Sequence, residues 1–112
     1  MNFQHKELAA GRWQQMSLVE QMANVGSDVE RAFRRRKEGD AELSRKFFEG
    51  ALELLDFTIA DPKNKGRRKE VLRVREFLVD YFMFDNQYGF TDEYWQKYFY
   101  DFGYAAAIQR GR

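Results

Sequence analysis

The sequence predicts an all-α fold, an antiparallel four-helix bundle of up-down-up-down topology, on three observations. Apolar residues recur at three- and four-residue steps in four separate stretches, which is typical of helices with one buried face. Proline, which breaks helices, occurs once in 112 residues, at Pro62. The connections between the stretches are short, so consecutive helices are expected to lie side by side in opposite directions.

The first predicted helix begins at Ser17 and ends before Gly39. Ser17 and Glu20 have the spacing of a capping box, in which the two side chains bind each other's backbone amides. Basic residues fill the last turns, where they interact favourably with the carbonyl end of the helix dipole. The inward face is expected to carry Leu18, Met22, Val25, Val29 and Phe33.

The second and third predicted helices are separated by Pro62 and a short basic loop at residues 63–66. Asp40 is a favourable N-cap for the second helix, and Pro62 stops it because the residue before a proline avoids helical geometry. The third helix is predicted from about Arg67 to Phe84. Its inward face is expected to carry Val71, Val74, Leu78, Tyr81 and Phe82.

The fourth predicted helix follows a loop rich in turn-forming residues at positions 85–90. Thr91 is its expected cap, and Asp92 and Glu93 occupy the first turn, where the helix dipole favours anions. Gly111 ends the helix. The core positions are expected to be Trp95, Tyr98, Phe99, Phe102 and Ala106.

Residues 1–16 are predicted to be a lead-in segment rather than a bundle helix, because Gly11 would interrupt any early helix. Leu8 and Trp13 are expected to fold back onto the end of the bundle. The whole chain, residues 1–112, is expected to form one domain, since this length suits one domain and leaves no room for a second.

Composition restricts the classes of function. The chain has no cysteine, which excludes disulfides, cysteine nucleophiles and thiolate metal sites and suits a reducing compartment. No apolar run is long enough to span a membrane and no segment resembles a signal peptide, so we expect a cytoplasmic protein without membrane association. Nineteen basic and 18 acidic residues argue against a dedicated nucleic-acid binder.

Three stretches, Leu18–Asp40, Ala51–Asp61 and Asp85–Tyr98, resemble a small prokaryotic family of uncharacterised all-helical proteins. The runs ALELLDFTIADP and DEYWQKYF carry this resemblance. The resemblance implies a helical bundle, but it implies no activity.

No motif for catalysis or metal binding stands out. A di-iron bundle needs glutamate-x-x-histidine pairs, and a serine or threonine nucleophile needs a base nearby, whereas the sole histidine is His5. There is also no glycine-rich phosphate loop. We therefore expect a protein that is not an enzyme and has no cofactor and no metal site.

Arg75 is unusual because its spacing places it inside the apolar face of the third helix. A buried guanidinium needs an acidic partner, because leaving it unpaired costs several kcal/mol. The sequence therefore predicts a buried ion pair between Arg75 and Asp28, with Asp56 and Asp80 as the other candidate partners. The alternative is an anion site in a pocket.

Three glycines lie inside predicted helices, where glycine costs up to about 1 kcal/mol relative to alanine. They are Gly26, Gly50 and Gly103, and helical register places them at a similar level. We expect them to permit close helix approach or to make room for large rings. The alternative is a small internal cavity.

Three aromatic residues fall outside the predicted core faces: Phe57, Tyr100 and Tyr104. Tyr100 and Tyr104 are one turn apart on the outer face of the fourth helix. Because contiguous exposed rings indicate an interface, we predict a binding surface here. The alternative is that the lead-in segment covers these rings.

Basic residues gather at the end of the bundle where the second and fourth helices finish. They are Lys63, Lys65, Arg67, Arg68, Lys69, Arg110 and Arg112. This cluster is either a solvated charged end or a site for RNA or DNA phosphates, with Phe57 and Tyr104 as possible base-stacking partners.

The sequence favours a non-enzymatic interaction or scaffold module. It would self-associate, with a homodimer as the first expectation, or dock a protein partner through the aromatic surface. The second hypothesis is a nucleic-acid-binding accessory protein that uses the basic end to bind RNA or DNA weakly, and an enzyme comes third. The salt dependence of binding distinguishes the first two hypotheses, because binding to phosphates weakens steeply as the salt concentration rises.

Overall fold

The computed structural model describes residues 4–111, and its regular secondary structure is helical throughout this range, with no strand. The α-helices are α1 (Lys6–Ala9), α2 (Leu18–Lys37), α3 (Ala41–Ala60), α4 (Arg68–Met83) and α5 (Asp92–Arg110). Two 3₁₀ helices lie at Arg12–Gln15 and Pro62–Arg67. The all-α class is thereby confirmed. No helix in this range is long and apolar enough to cross a membrane.

The predicted caps of three long helices are present. The Ser17 Oγ accepts the Glu20 amide at 3.1 Å, and Glu20 Oε1 accepts the Ser17 amide at 3.1 Å, which completes the capping box of α2. Asp40 and Thr91 likewise accept backbone amides in the first turns of α3 and α5, each at 3.0 Å. These starts were predictable because a capping side chain and the backbone amide that donates to it are only three residues apart.

The segment after α3 differs from the prediction. Residues 63–66 were predicted as a loop, but they lie within the 3₁₀ helix Pro62–Arg67. The Asp61 carboxylate caps this helix by accepting the Lys63 amide at 3.1 Å, and Pro62 fits its first position because it has no amide to donate. The basic side chains of this region therefore stand on ordered backbone.

The core is organised around α2, which packs extensively against both α3 and α5, while α3 also packs against α4. Aromatic rings link the helices: Phe82 of α4 stacks on Phe48 of α3 with ring centroids 4.1 Å apart. Between α4 and α5, the Tyr81 hydroxyl donates a hydrogen bond to the Asp92 carboxylate. Burial and this bond raise the pKa of Tyr81 to about 12.

The three helical glycines have different surroundings. A Cβ at Gly26 would lie 2.6 Å from Phe99 Cβ, so this glycine permits α2 and α5 to approach closely, as predicted. A Cβ at Gly50 would meet Gln4, His5 and Asp28. At Gly103 a Cβ would meet nothing within 4 Å. Close approach therefore explains Gly26, and Gly103 faces open space.

Candidate functional site

The predicted buried pair of Arg75 and Asp28 is wrong. Arg75 Nε donates to Asp56 Oδ1 at 2.7 Å, and both side chains are partly exposed, at 34% and 57%. Asp56, one of the two other candidate partners, lies on α3, so the pair joins α4 to α3. Asp28 is buried and instead contacts Arg31 and His5. Arg75 is therefore neither a buried charge nor an anion site in a pocket.

The predicted tyrosine surface is exposed. Tyr100 and Tyr104 retain 69% and 61% of their accessible surface, and their rings stack at a centroid distance of 6.5 Å. The described part of the lead-in segment does not cover them, because it docks on α2 and α3 through His5. The stacked rings form a ridge along the outside of α5, which we call the tyrosine ridge.

The tyrosine ridge borders a groove of about 710 Å³ between α2 and α5, which we call the α2/α5 groove. Small residues line it from both helices: Ala23, Gly26 and Ser27 on α2, and Gly103 and Ala107 on α5. Because their side chains are short, the groove stays open beside the ridge. Phe33, Trp95 and Phe99 add aromatic surface to the lining.

Sequence reasoning named the ridge but missed the groove. Ala23 with Ser27, and Gly103 with Ala107, each share one helix face at a spacing of four residues. This spacing of small residues was a signal that could have been noticed. What it did not show is that the two faces lie next to each other.

Phe57 does not belong to this surface. It is half-buried, packs against the hydrophobic core and is not among the residues that line the groove. The prediction that Phe57, Tyr100 and Tyr104 form one exposed set is therefore wrong, because a ring on the flank of α3 is long enough to reach the core.

The two helices that form the groove carry paired charges of both signs. Lys97 and Asp101 pair across one turn of α5 at 3.5 Å. On α2, Arg34 and Glu30 pair at 3.1 Å, and Glu30 also lines the groove. Each of these two pairs is neutral in sum.

Some cations of the predicted basic end are engaged in contacts within the protein. Lys63 pairs with Asp61 and donates to the Gln14 carbonyl at 2.9 Å, Arg67 pairs with Glu70 at 2.6 Å, and Arg68 donates to the Ile59 carbonyl at 3.0 Å. These three cations have their charge or donors engaged within the protein.

The remaining predicted cations fall into two groups. Lys65, Lys69 and Arg110 are exposed and have no ion-pair partner within residues 4–111. Arg112 lies outside the described residues. The free part of the basic end therefore consists of three side chains from the Pro62–Arg67 helix, α4 and α5.

Over residues 4–111 no three histidine, cysteine, aspartate or glutamate side chains are grouped so as to hold a metal ion. The polar side chains of the groove lining are those of Ser27, Glu30, Gln96, Tyr100 and Tyr104, together with the indole N–H of Trp95, and no histidine or lysine is among the lining residues. Comparison with known proteins finds no matching family model, no matching curated protein and no matching solved structure.

Proposed function

We propose that this protein is a non-enzymatic interaction module that binds other protein surfaces through the tyrosine ridge and the α2/α5 groove, with a second copy of the chain as its first partner. The observation that carries this proposal is the exposed stack of Tyr100 and Tyr104 beside an open groove lined by small residues. Tyrosine contributes a large contact area, and its hydroxyl can stay hydrated at the rim of an interface.

The proposal includes an antiparallel, up-down-up-down arrangement of the four long helices. Two contacts support it. Ser17 at the start of α2 donates to Gln109 near the end of α5 at 3.1 Å, and Arg36 near the end of α2 lies 3.7 Å from Asp92 at the start of α5. In this arrangement the groove runs along two neighbouring helices that point in opposite directions.

A second copy is favoured because one face carries both a ridge and a groove. In a twofold dimer the same patch meets itself, so the ridge of each copy can enter the groove of the other. The ion pairs Lys97–Asp101 and Arg34–Glu30 add no net charge to α2 and α5. Symmetric dimers are also the commonest oligomers of soluble proteins.

Analytical ultracentrifugation tests the proposal. We expect wild-type protein to be dimeric at micromolar concentration and Tyr100→Glu with Tyr104→Glu to be a folded monomer, because buried unpaired carboxylates would oppose the interface. Phe84→Glu is the matched control, since Phe84 is 71% exposed and is not among the residues that line the groove. This control should remain dimeric.

Gly103→Leu provides a second variant that fills the groove without altering the ridge. It should also yield a monomer, and circular dichroism should show that its helices remain. A wild-type protein that stays monomeric at high micromolar concentration would refute self-association. Equal dissociation of the Phe84→Glu control would show that the effect is not specific to this face.

The alternative function, nucleic-acid binding, is favoured by one observation: Lys65, Lys69 and Arg110 are exposed and unpaired among the described residues. Because Lys63, Arg67 and Arg68 are engaged internally, we expect only weak binding of RNA or DNA, with a strong dependence on salt. Lys65→Glu with Lys69→Glu should abolish it. Binding that this variant leaves unchanged would exclude the basic end as the site.

A further inference from the structure

His5, the sole histidine of the chain, lies between two carboxylates on different helices. Its Nδ1 is 2.9 Å from Glu53 Oε1 on α3, and its Nε2 is 3.3 Å from Asp28 Oδ2 on α2. A neutral imidazole has one N–H, whereas a protonated imidazole has two. Both contacts are therefore attractive at the same time when the ring is protonated and both carboxylates are ionised.

The backbone of the lead-in segment binds the same glutamate. The His5 amide donates to Glu53 Oε1 at 2.8 Å, and the Gln4 amide donates to Glu53 Oε2 at 3.0 Å. Burial acts to raise the pKa of Glu53, but the hydrogen bonds from His5 and Gln4 outweigh it and lower the pKa. Glu53 is thus held in its ionised form as the anchor of the segment.

Asp28 differs from Glu53 in its environment. Burial raises the pKa of Asp28, although the charges of His5 and of Arg31, which pairs with it at 3.1 Å, act in the opposite direction. Burial therefore favours the protonated form of Asp28, whereas the hydrogen bonds to Glu53 favour its ionised form.

The surface of α3 has space for the segment at Gly50. A Cβ at this position would lie 2.9 Å from Gln4 Oε1 and 3.2 Å from both His5 Cε1 and Asp28 Oδ2. A glycine within a helix costs up to about 1 kcal/mol relative to alanine. The missing side chain leaves the space in which Gln4 and His5 dock.

We propose that His5 is a pH-dependent clasp that holds the lead-in segment against α2 and α3. The charged groups around it are Asp28 with Arg31 on α2 and Glu53 on α3, while Lys46 contributes its carbonyl oxygen, which accepts the Gln4 side chain at 3.2 Å. The ridge and groove face is not involved, so the clasp stands independently of self-association.

The sign of the pH dependence follows from the two contacts. Deprotonation of the ring removes one N–H, and the bare nitrogen then faces a carboxylate oxygen with no proton between them. The clasp opens. As the pH falls far enough to protonate Asp28, one of the two ionic contacts is lost. The segment is held most firmly at mildly acidic pH.

Amide hydrogen exchange tests the clasp, read at Gln4 and His5 after correction for the intrinsic effect of pH on exchange. Between about pH 6 and about pH 8, protection of these amides in the wild type should fall about tenfold, the scale of one charge-assisted hydrogen bond. Glu7→Gln is the matched control, because it removes a titrating group from an exposed position of the same segment, and it should behave as the wild type.

His5→Gln should give low protection that is the same at both pH values, with unchanged helical circular dichroism. In a further measurement at about pH 4, near the ordinary aspartate pKa, the wild type should lose protection relative to about pH 6, whereas Asp28→Asn should not. Equal protection of the wild type at both pH values would overturn the proposal, since it would mean that the backbone bonds to Glu53 hold the segment without the ring. So would a loss on raising the pH that is equally large in His5→Gln.

Discussion

At the scale of single residues, two glycines of the α2/α5 region show how one residue type can have opposite effects. At Gly26 the backbone of α2 lies directly against the base of the Phe99 side chain, so an added methyl group would force the two helices apart. At Gly103 the same methyl group would meet nothing within 4 Å. Glycine lowers helix stability at both positions, but only at Gly26 does the absence of a side chain allow a close packing contact.

Gly26→Ala should therefore lower the free energy of unfolding by about 1–3 kcal/mol, the usual cost of overpacking. Gly103→Ala should raise it by up to about 1 kcal/mol, because alanine favours the helix and nothing must move. Urea unfolding followed by circular dichroism measures both, and each variant is the control for the other. A stabilised Gly26→Ala would contradict the close contact with Phe99.

At the scale of elements, Asp61 connects three helices. Its buried carboxylate lies at the end of α3, caps the Pro62–Arg67 helix and accepts the Gln21 side chain of α2 at 2.8 Å. Gln21 in turn accepts Asn64 at 2.8 Å. Burial acts to raise the pKa of Asp61, but hydrogen bonds from Lys63 and Gln21, with the charge of Lys63, outweigh it and lower the pKa.

Asp61→Asn should lower the free energy of unfolding near neutral pH by about 2 kcal/mol, the scale of buried hydrogen bonds to a charged group. Because the folded pKa is lowered, this stabilisation is present above the ordinary aspartate pKa of about 3.9 and is lost as the pH falls through the folded value. Thermal unfolding at pH 7 and in acid should show the two proteins converging in acid. Asp85→Asn, at an exposed position, is the control and should show little difference at either pH.

At the scale of the whole molecule, the lead-in segment completes the core. Trp13 is 1% exposed, its Nε1 donates to Thr58 Oγ1 at 3.0 Å, and its carbonyl accepts the Gln21 side chain at 3.0 Å. The expectation that Trp13 folds back onto the bundle is confirmed. The segment also contains α1 and the 3₁₀ helix Arg12–Gln15, which were not predicted.

Trp13→Ala should destabilise the protein by about 3–5 kcal/mol, since it removes a large buried ring and leaves a cavity. Trp13→Phe keeps most of the apolar contact and should cost less. Chemical unfolding of both variants gives the comparison. A loss below about 1 kcal/mol for Trp13→Ala would show that the segment adds little to the stability of the core.

The helices themselves could be predicted closely. The capping pair of Ser17 and Glu20, the caps Asp40 and Thr91, and the stop at Pro62 lie within a few residues of the backbone they control. Such signals act locally, so they can be recognised in a sequence before any tertiary contact is known. The exposure of Tyr100 and Tyr104 was predictable for a related reason, because helical periodicity determines which side of α5 they occupy.

The sequence by itself thus determined where the long helices begin and end and which face of each is apolar. The tertiary structure decided which surfaces meet. It gave Arg75 an exposed partner in Asp56, placed Asp28 beside His5, buried one flank of Phe57 and left the α2/α5 groove open. The physical reason is that periodicity fixes the direction of a side chain around its own helix axis, whereas its partner depends on the rotation and offset of another helix, which are set by packing across the whole core.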